Sequence, residues 1–486
     1  MFSRRNLIKS SSAAGLVAGL APNQIFAETP TAKNIVVIYT DEHRLQSMAN
    51  TNMPELSTPN LSRLANEGTF FTECVSNYPV CVPFRTMLMT GMWPYAAKIY
   101  DNDGISPDQD SFPTLGKSFG EAGYETCFIG KWHVGMHAHK AGFKHTYIWG
   151  NTNIHYKSNY RYNGQPQVNY PGYNATGMTD QALDFISKQN STKPYLMMLS
   201  INPPHALFTD APQDCKELYP EGSLTKLPNY ISDPKKQGEE WNNYQGYHAH
   251  ITAIDREVGR VLDAIDASGM RDNTVVVYTS DHGSMMYSHG ATNKRYPYEE
   301  SCRIPFIVRC PGTIPTMTKR KDLISAIDIF PTLCGLAGIP IPSKCNGQNF
   351  ELNCRGLSGG PDPKEVFLMH IANKDCYEKQ LNNADYNNPA PYFRGVRTNH
   401  FTYAVSEKGP WMLYQNTKDP YQLENHIGKP EWLKIETMLA NKLNKMLDKA
   451  EYAFMDPADV ADLKTKSLTE RINMQSEMAV LEYNTY

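Results

Sequence analysis

Asn34-Ile-Val-Val-Ile-Tyr-Thr-Asp-Glu-His43 is a short apolar run, rich in β-branched residues, that ends in two acids. An unbroken run without polar alternation suits a strand buried on both faces, which is how strands of parallel sheets are placed. Thr274-Val-Val-Val-Tyr-Thr-Ser-Asp-His282 repeats the pattern, again ending in an acid. Two such strands predict a sheet whose carboxyl ends deliver polar groups to one crevice.

Working outward, Ser57-Thr58-Pro59 offers a cap and a first-turn proline for a helix through Leu61, Leu64 and Ala65, closed by Gly68. Helices are expected over 113–122, 179–188, 247–267 and 324–336, and strands over 125–129, 195–201 and 304–309. The β/α alternation predicts an α/β fold: a large, mostly parallel mixed sheet flanked by helices. Residues 137–174, rich in Tyr, Asn, His and Gly without clear period, read as long loops over a site. The Pro/Gly/Cys-rich stretch 340–363 reads as a boundary. Beyond it, short strands over 392–396, 401–405 and 412–414 and a helix over 431–449 predict a smaller C-terminal subdomain, an antiparallel sheet plus helix. The expected domains are therefore 34–360 and 361–486, after an N-terminal leader over 1–27.

That leader carries Arg4-Arg5, Lys9 and a weakly apolar run from Ala13 to Ala21, the pattern of a twin-arginine export signal. Removing 1–27 takes away three positive charges and no acid, changing the formal charge from -3 to -6. A periplasmic or secreted bacterial location follows, and no other run is long enough to span a membrane. The 486 residues are 41% hydrophobic and 20% charged, with a pI near 6.5, which argues against a nucleic-acid partner held by phosphate charge. Ten cysteines form no CxxC and no dense framework. Cys345 with Cys354, or Cys302 with Cys310, are candidate pairs, whereas Cys74, Cys127 and Cys334 sit in apolar surroundings that suit buried free thiols.

The chemistry gathers at the strand ends. Asp41 and Glu42 follow the first strand; Asp281 and His282 follow the second. One Asp after a strand is as often a helix cap as a ligand. Two adjacent pairs on two strands favour a hard divalent cation, Ca²⁺ or Mg²⁺, over zinc. Gly130-Lys131-Trp132-His133, Asn202-Pro203-Pro204-His205 and Asn293-Lys294 bring lysines and imidazoles to other strand ends. Singly these are solvated or packed side chains; together they describe an anion pocket facing a metal, suited to an oxyanion ester. Tyr78-Pro-Val-Cys-Val-Pro-Phe-Arg-Thr-Met-Leu-Met-Thr-Gly91 adds Cys81 in a loop between two prolines, with Arg85 four residues on and a helix expected to begin around Pro83, an environment that favours an ionised thiol.

The Cys81-x-Pro83-x-Arg85 element with Thr90-Gly91 resembles the signature of the type I, formylglycine-dependent sulfatases of the alkaline phosphatase-like superfamily. The strand to Asp41, G-K-W-H-V-G, N-P-P-H, T-S-D-H-G, the run from Asn293 to Gly312 and the segment around Leu413-Tyr414, Asp419-Pro420 and Glu424-Asn425 follow in that family's order. Together they cover the chain from 34 to about 425. The resemblance implies that Cys81 is converted to 3-oxoalanine (formylglycine) by a maturation enzyme. It also implies that Asp41, Glu42, Asp281, His282 and residue 81 hold Ca²⁺, with Mg²⁺ as the alternative. Arg85 and Lys131 would then steady the modified side chain, His133 would act on it as acid and base, and Lys294 and His205 would grip sulfate and protonate the leaving oxygen. The expected activity is hydrolysis of sulfate monoesters, of a sulfated carbohydrate or other small ester.

Three positions depart from the family pattern: Phe84 where Ser or Ala is usual, Glu42 for the more common Asp, and Ser284 for a frequent acid. Two rival readings stand beside the sulfatase: a phosphonate or phosphodiester hydrolase on the same scaffold, and a catalytically silent binder of sulfated glycans with an unconverted Cys81. The aromatic-rich loops and the polar stretch 373–388 are compatible with sugar binding.

Overall fold

In the computed structural model, residues 33–102, 104–150, 153–371 and 390–475 are described. The leader and the polar stretch 373–388 lie outside the described residues. Strands β1 (Asn34–Asp41), β2 (Thr69–Val75), β3 (Glu125–Lys131), β4 (His145–Trp149), β5 (Ser158–Tyr162), β6 (Val168–Tyr170), β7 (Tyr195–Pro204), β8 (Thr274–Ser280), β9 (Arg303–Arg309) and β10 (Thr318–Arg320) form one large sheet. Their order across it is β10-β2-β9-β8-β1-β7-β3-β4-β5-β6, with β11 (Ile324–Ser325) paired to β2. The central strands β8, β1, β7, β3 and β4 run parallel, while β9 and the edge strands β5 and β6 are antiparallel to their neighbours.

The unbroken apolar runs are explained by what covers the two faces. Ile35, Val37 and Tyr39 of β1 enter one core, and Val36 and Ile38 enter the other. The first core is closed by helices Cys81–Thr90, Ala326–Ala337 and Leu433–Ala450. Pro59–Asn66, Asn174–Ser187 and Gln237–Ala267 close the second. Because successive side chains of a strand point to opposite faces, a strand covered on both sides has no polar position to spare.

Residues 137–174 are not the long loops expected. They include β4, β5 and β6, which extend the sheet edge. Tyr147 pairs with Tyr162 and Trp149 with Tyr160 across β4 and β5, with ring centroids 4.6 and 5.0 Å apart. Cross-strand aromatic pairs stabilise such ribbons, and strands this short leave too little periodicity to read. Strand β2 also went unpredicted, and the helix expected over 247–267 begins ten residues earlier, at Gln237.

Strands β12 (Val366–His370), β13 (Phe393–Arg397), β14 (Thr402–Ser406) and β15 (Gly409–Tyr414) make a second, antiparallel sheet. Phe367, Met369, Val396 and Leu413 join the first core, alongside Leu439, Leu443 and Leu447 of the C-terminal helix. The described residues from 33 to 475 thus make one compact unit. All nine described cysteines are free thiols. Cys302 and Cys310 flank β9, and a strand of that length holds its ends on the order of 25 Å apart, far beyond disulfide reach.

Candidate active site

The parallel strands deliver their carboxyl ends to one side of the sheet, and the polar groups predicted there meet. Asp41 is the last residue of β1, and Asp281 follows β8 directly. One Asp281 oxygen, Oδ1, accepts the backbone N–H of Glu42 (3.1 Å) and of His282 (2.9 Å). This carboxylate therefore stitches the two strand ends together. Glu42 turns the chain in the left-handed region, at φ 73°.

Cys81 is the first residue of helix Cys81–Thr90, and every residue of that helix is buried. The helix begins at Cys81 rather than near Pro83, which puts the sulfur at its N-terminal end, where the helix dipole favours an anion. Arg85 lies one turn on and is fully buried. Its Nε donates to Asp281 Oδ2 (3.0 Å), and its terminal nitrogens donate to Asp41 Oδ2 (3.1 Å), Ser200 Oγ (2.7 Å) and the Lys131 carbonyl (3.1 Å). Its guanidinium also lies 5.1 Å from the Tyr39 ring centroid. Such a buried cation is tolerable only because every side of it is answered by an acceptor.

Lys131, ending β3, donates to Asp41 Oδ2 at 2.5 Å. Lys294 Nζ reaches both the Glu42 carboxylate and Cys81 Sγ, the latter at 3.4 Å. His205 Nε2 lies 3.5 Å from Glu42 Oε1, and its Nδ1 hydrogen-bonds the Ala206 carbonyl (2.8 Å). His133 differs. It lines an adjoining cavity with Val82 and Asn102, and its buried Nδ1 finds no partner among the described residues. Sequence reading missed Ser200, Asn102 and Tyr247. Ser200 Oγ joins Arg85 to the Lys131 carbonyl (2.8 Å), Asn102 Oδ1 accepts the Val82 N–H (3.1 Å), and Tyr247 donates to the Glu42 carbonyl (2.7 Å). A serine in a strand, an asparagine in a loop and a tyrosine in a helix carry no motif.

The charges are strongly perturbed. Burial and the Asp41 carboxylate push the Cys81 thiol up, but Lys294, Lys131 and His282 outweigh them and hold it well below its usual range. Burial raises Asp41, yet Lys131, His205 and Arg85 bring it well below an ordinary carboxyl. Asp281 goes the other way, pushed up to about 6 by burial and by Asp41. Burial and Lys294 hold His205 down to about 4, whereas Lys294 itself rises well above its usual value against burial because Cys81, Glu42 and Asp41 face it.

The donor set accepts a cation. Arg85 and Lys131 occupy Asp41 Oδ2, leaving Oδ1 3.7 Å from Cys81 Sγ and 3.8 Å from His282 Nε2. His282 Nδ1 is engaged by the Gly283 carbonyl (2.9 Å), so Nε2 faces inward, 3.4 Å from Cys81 Sγ and 3.5 Å from Asp281 Oδ1. One ligand atom from each of Asp41, Cys81, Asp281 and His282 thus falls within 4.8 Å of all the others. Glu42 is not among these four; it groups with Asp41 and His205.

Three carboxylates set against two lysines and an arginine beside a helix N-terminus can bind a tetrahedral oxyanion and displace an oxygen from it. On this mixed sheet they define a hydrolase of the alkaline phosphatase-like superfamily. The chain belongs to the sulfatase family, whose model, described as Sulfatase, matches residues 33–339. A second model, N-sulphoglucosamine sulphohydrolase, C-terminal, matches 288–449. The chain is 34% identical over 440 residues to an ulvan-active sulfatase of Formosa agariphila, covering 86% of this chain and 82% of that one. It is 29% identical to an endo-4-O-sulfatase of Bacteroides thetaiotaomicron, covering 83% and 90%. A solved structure from glycosaminoglycan metabolism in Bacteroides thetaiotaomicron aligns with a TM-score of 0.76 at 26% identity, over 88% of this chain and 97% of that one. The activity is therefore that of a sulfuric ester hydrolase. Among the described residues no helix is long and apolar enough to cross a membrane.

Proposed function

We propose that this enzyme removes sulfate from a sulfated carbohydrate, using a formylglycine made from Cys81 and a bound Ca²⁺. The observation that carries the reading is the buried group of Asp41, Cys81, Asp281 and His282 at the mouth of the nucleophile helix. Carboxylate oxygens from Asp41 and Asp281 would suit a hard cation such as Ca²⁺, with Cys81 and His282 completing the group. A hydrated aldehyde at position 81 supplies two hydroxyls, one to attack sulfur and one through which sulfate is expelled, and the cation supplies the charge that acidifies them.

The chain's own residues do the rest. Arg85 and Lys131 fix Asp41 and Asp281 and keep the pocket cationic. Lys294, 3.4 Å from Sγ, lies where an oxygen of the sulfate arrives and draws the anion in. His205, beside it, faces the leaving oxygen and returns a proton to it; His133 holds the proton exchanged when sulfate is expelled. Glu42 is the fifth ligand in this reading. Its carboxylate, paired with Lys294, would be free to join the ligands once sulfate took that lysine. The sugar assignment rests on relatives named for ulvan and for endo-4-O-desulfation. Residues 1–27 export the chain to the periplasm, a maturation enzyme converts Cys81, and the catalytic domain 34–360 carries the C-terminal subdomain 361–486.

The test has two parts. The mass of the Cys81 peptide reports conversion, and converted protein is screened for sulfate release from defined sulfated sugars and aryl sulfates. Cys81→Ala is expected to release no sulfate while keeping its folded spectrum. Near-normal turnover in that variant removes Cys81 from the mechanism.

A further inference from the structure

A second cavity adjoins the nucleophile. The charged cleft, about 760 Å³, is lined by Glu42, His205 and Lys294. Another, about 580 Å³, is lined by Val82, the residue after Cys81, and by His133. Asn102 lines both, and its Oδ1 accepts the Val82 N–H at 3.1 Å, so the two cavities share a wall at the start of the nucleophile helix. Each is the size of a small-molecule site.

Their chemistry is opposite. The described walls of the second cavity include Ile105, Trp132, Val134, Ile148 and Trp149, with polar side chains from Asn102, His133 and His137. Among its described lining residues there is no Asp, Glu, Lys or Arg. The buried Nδ1 of His133 has no partner among the described residues, and Ile105 is 41% exposed.

We infer that this cavity is a subsite for an uncharged sugar unit joined to the sulfated one, so that the substrate is a saccharide of at least two units with a neutral neighbour beside the sulfate. This rests on the sulfated-carbohydrate reading above. A pyranose presents apolar C–H faces and hydroxyl edges. The faces match the exposed Ile105 and the half-buried Ile148, and a hydroxyl finds a partner in Asn102. A uronate or a second sulfate would lose water there with no lysine or arginine among the described lining residues to answer it, and an unpaired buried charge is costly.

Calorimetric binding to Cys81→Ala protein tests this without turnover. One probe is a kappa-carrageenan tetrasaccharide, where galactose 4-sulfate alternates with uncharged anhydrogalactose. The other is a chondroitin 4-sulfate tetrasaccharide, where N-acetylgalactosamine 4-sulfate alternates with glucuronate. The first is expected to bind at least about ten-fold more tightly than the second and than galactose 4-sulfate alone. In Ile105→Asp, Cys81→Ala protein the advantage of tetrasaccharide over monosaccharide should shrink about ten-fold. Equal or tighter binding of the chondroitin probe, no gain from the added units, or an unchanged ratio in the Ile105 variant overturns the inference. Loss of aryl sulfate turnover from converted protein would instead overturn the proposed function, since an aryl sulfate does not need this subsite.

Discussion

Asp281 and His205 both have displaced protonation equilibria, and each yields a measurable outcome. A carboxyl raised to about 6 by burial and Asp41 releases its proton when a cation binds. Ca²⁺ affinity of the stripped protein should therefore rise with pH up to about 6 and level off above it. Titration monitored by calorimetry checks this, and a pH-independent affinity would remove Asp281 from the ligand set. Asp281→Asn should bind no metal by elemental analysis and release no sulfate. His205 poses a sharper question, because a general acid must carry a proton and this imidazole is held at about 4. For a sugar sulfate, His205→Ala should slow turnover by ~10²–10⁴-fold, with far less loss on an aryl sulfate, whose leaving group needs no proton. If His205 is the acid, wild-type kcat/KM on the sugar ester declines between about pH 5 and 7, as the protonated fraction falls. A flat profile over that range, with equal losses on both esters, would assign the proton to Lys294, whose ammonium persists well above neutrality.

Helix Gln237–Ala267 shows how one element sets several of these side chains at once. Tyr247 donates to the Glu42 carbonyl, and His250 Nε2 lies 3.2 Å from the Leu207 carbonyl. Between them the helix touches both Glu42 and the segment after His205. Gly246 allows the approach, since a Cβ there would stand 2.1 Å from the Phe208 carbonyl oxygen. Gly246→Ala should push that segment outward and move His205. A misplacement on the order of 1 Å costs about 10²-fold in rate. Steady-state kinetics on a sugar sulfate, with metal content measured alongside, checks this; the metal should be retained. The first turns of this helix also show why its start was not legible. Gln237 to Gly246 is polar on most faces and buries only Glu240, Tyr244 and Gly246, so no apolar stripe marks it.

At the scale of the molecule, the two sheets are joined through a buried ion pair as well as a shared core. Arg397 on β13 donates to Glu299 at 2.6 and 2.9 Å and to Glu73 on β2 at 2.6 Å. Burial pushes the Glu299 carboxyl up, but Arg397 outweighs it and the group ends below its usual range. Arg397→Met leaves the Glu299 carboxylate to Arg303 at 3.3 Å, and losing one partner of a buried pair costs up to about 3–5 kcal/mol. Thermal unfolding should show a lower Tm. A depressed carboxyl contributes stability that is present above its unfolded pKa of about 4.3 and is lost as pH falls through the lower folded value. The gap between wild type and variant should therefore narrow in acid; a gap constant from pH 7 to pH 3 would show that the charge pair is not its source.

Much of this was present in the sequence. The run from Asn34 to Asp41 is apolar at every inward position because both faces of β1 are covered, so burial itself wrote the strand into composition. The order of short motifs announced the family, and the rule that parallel strands end together predicted that Asp41, Asp281, Lys131 and His205 would share a crevice. Only the tertiary structure decided how they are divided. Arg85 takes one oxygen of each aspartate, leaving the other to face His282, and Glu42 turns to Lys294 and His205 instead of the four-residue group. His133 lies in the neighbouring cavity. Such choices depend on angstrom-scale competition among buried donors and acceptors, which spacing along a chain does not encode. The aromatic ribbon of β4 and β5 was illegible for a related reason, since its stability lies in pairs that exist only after the strands have met.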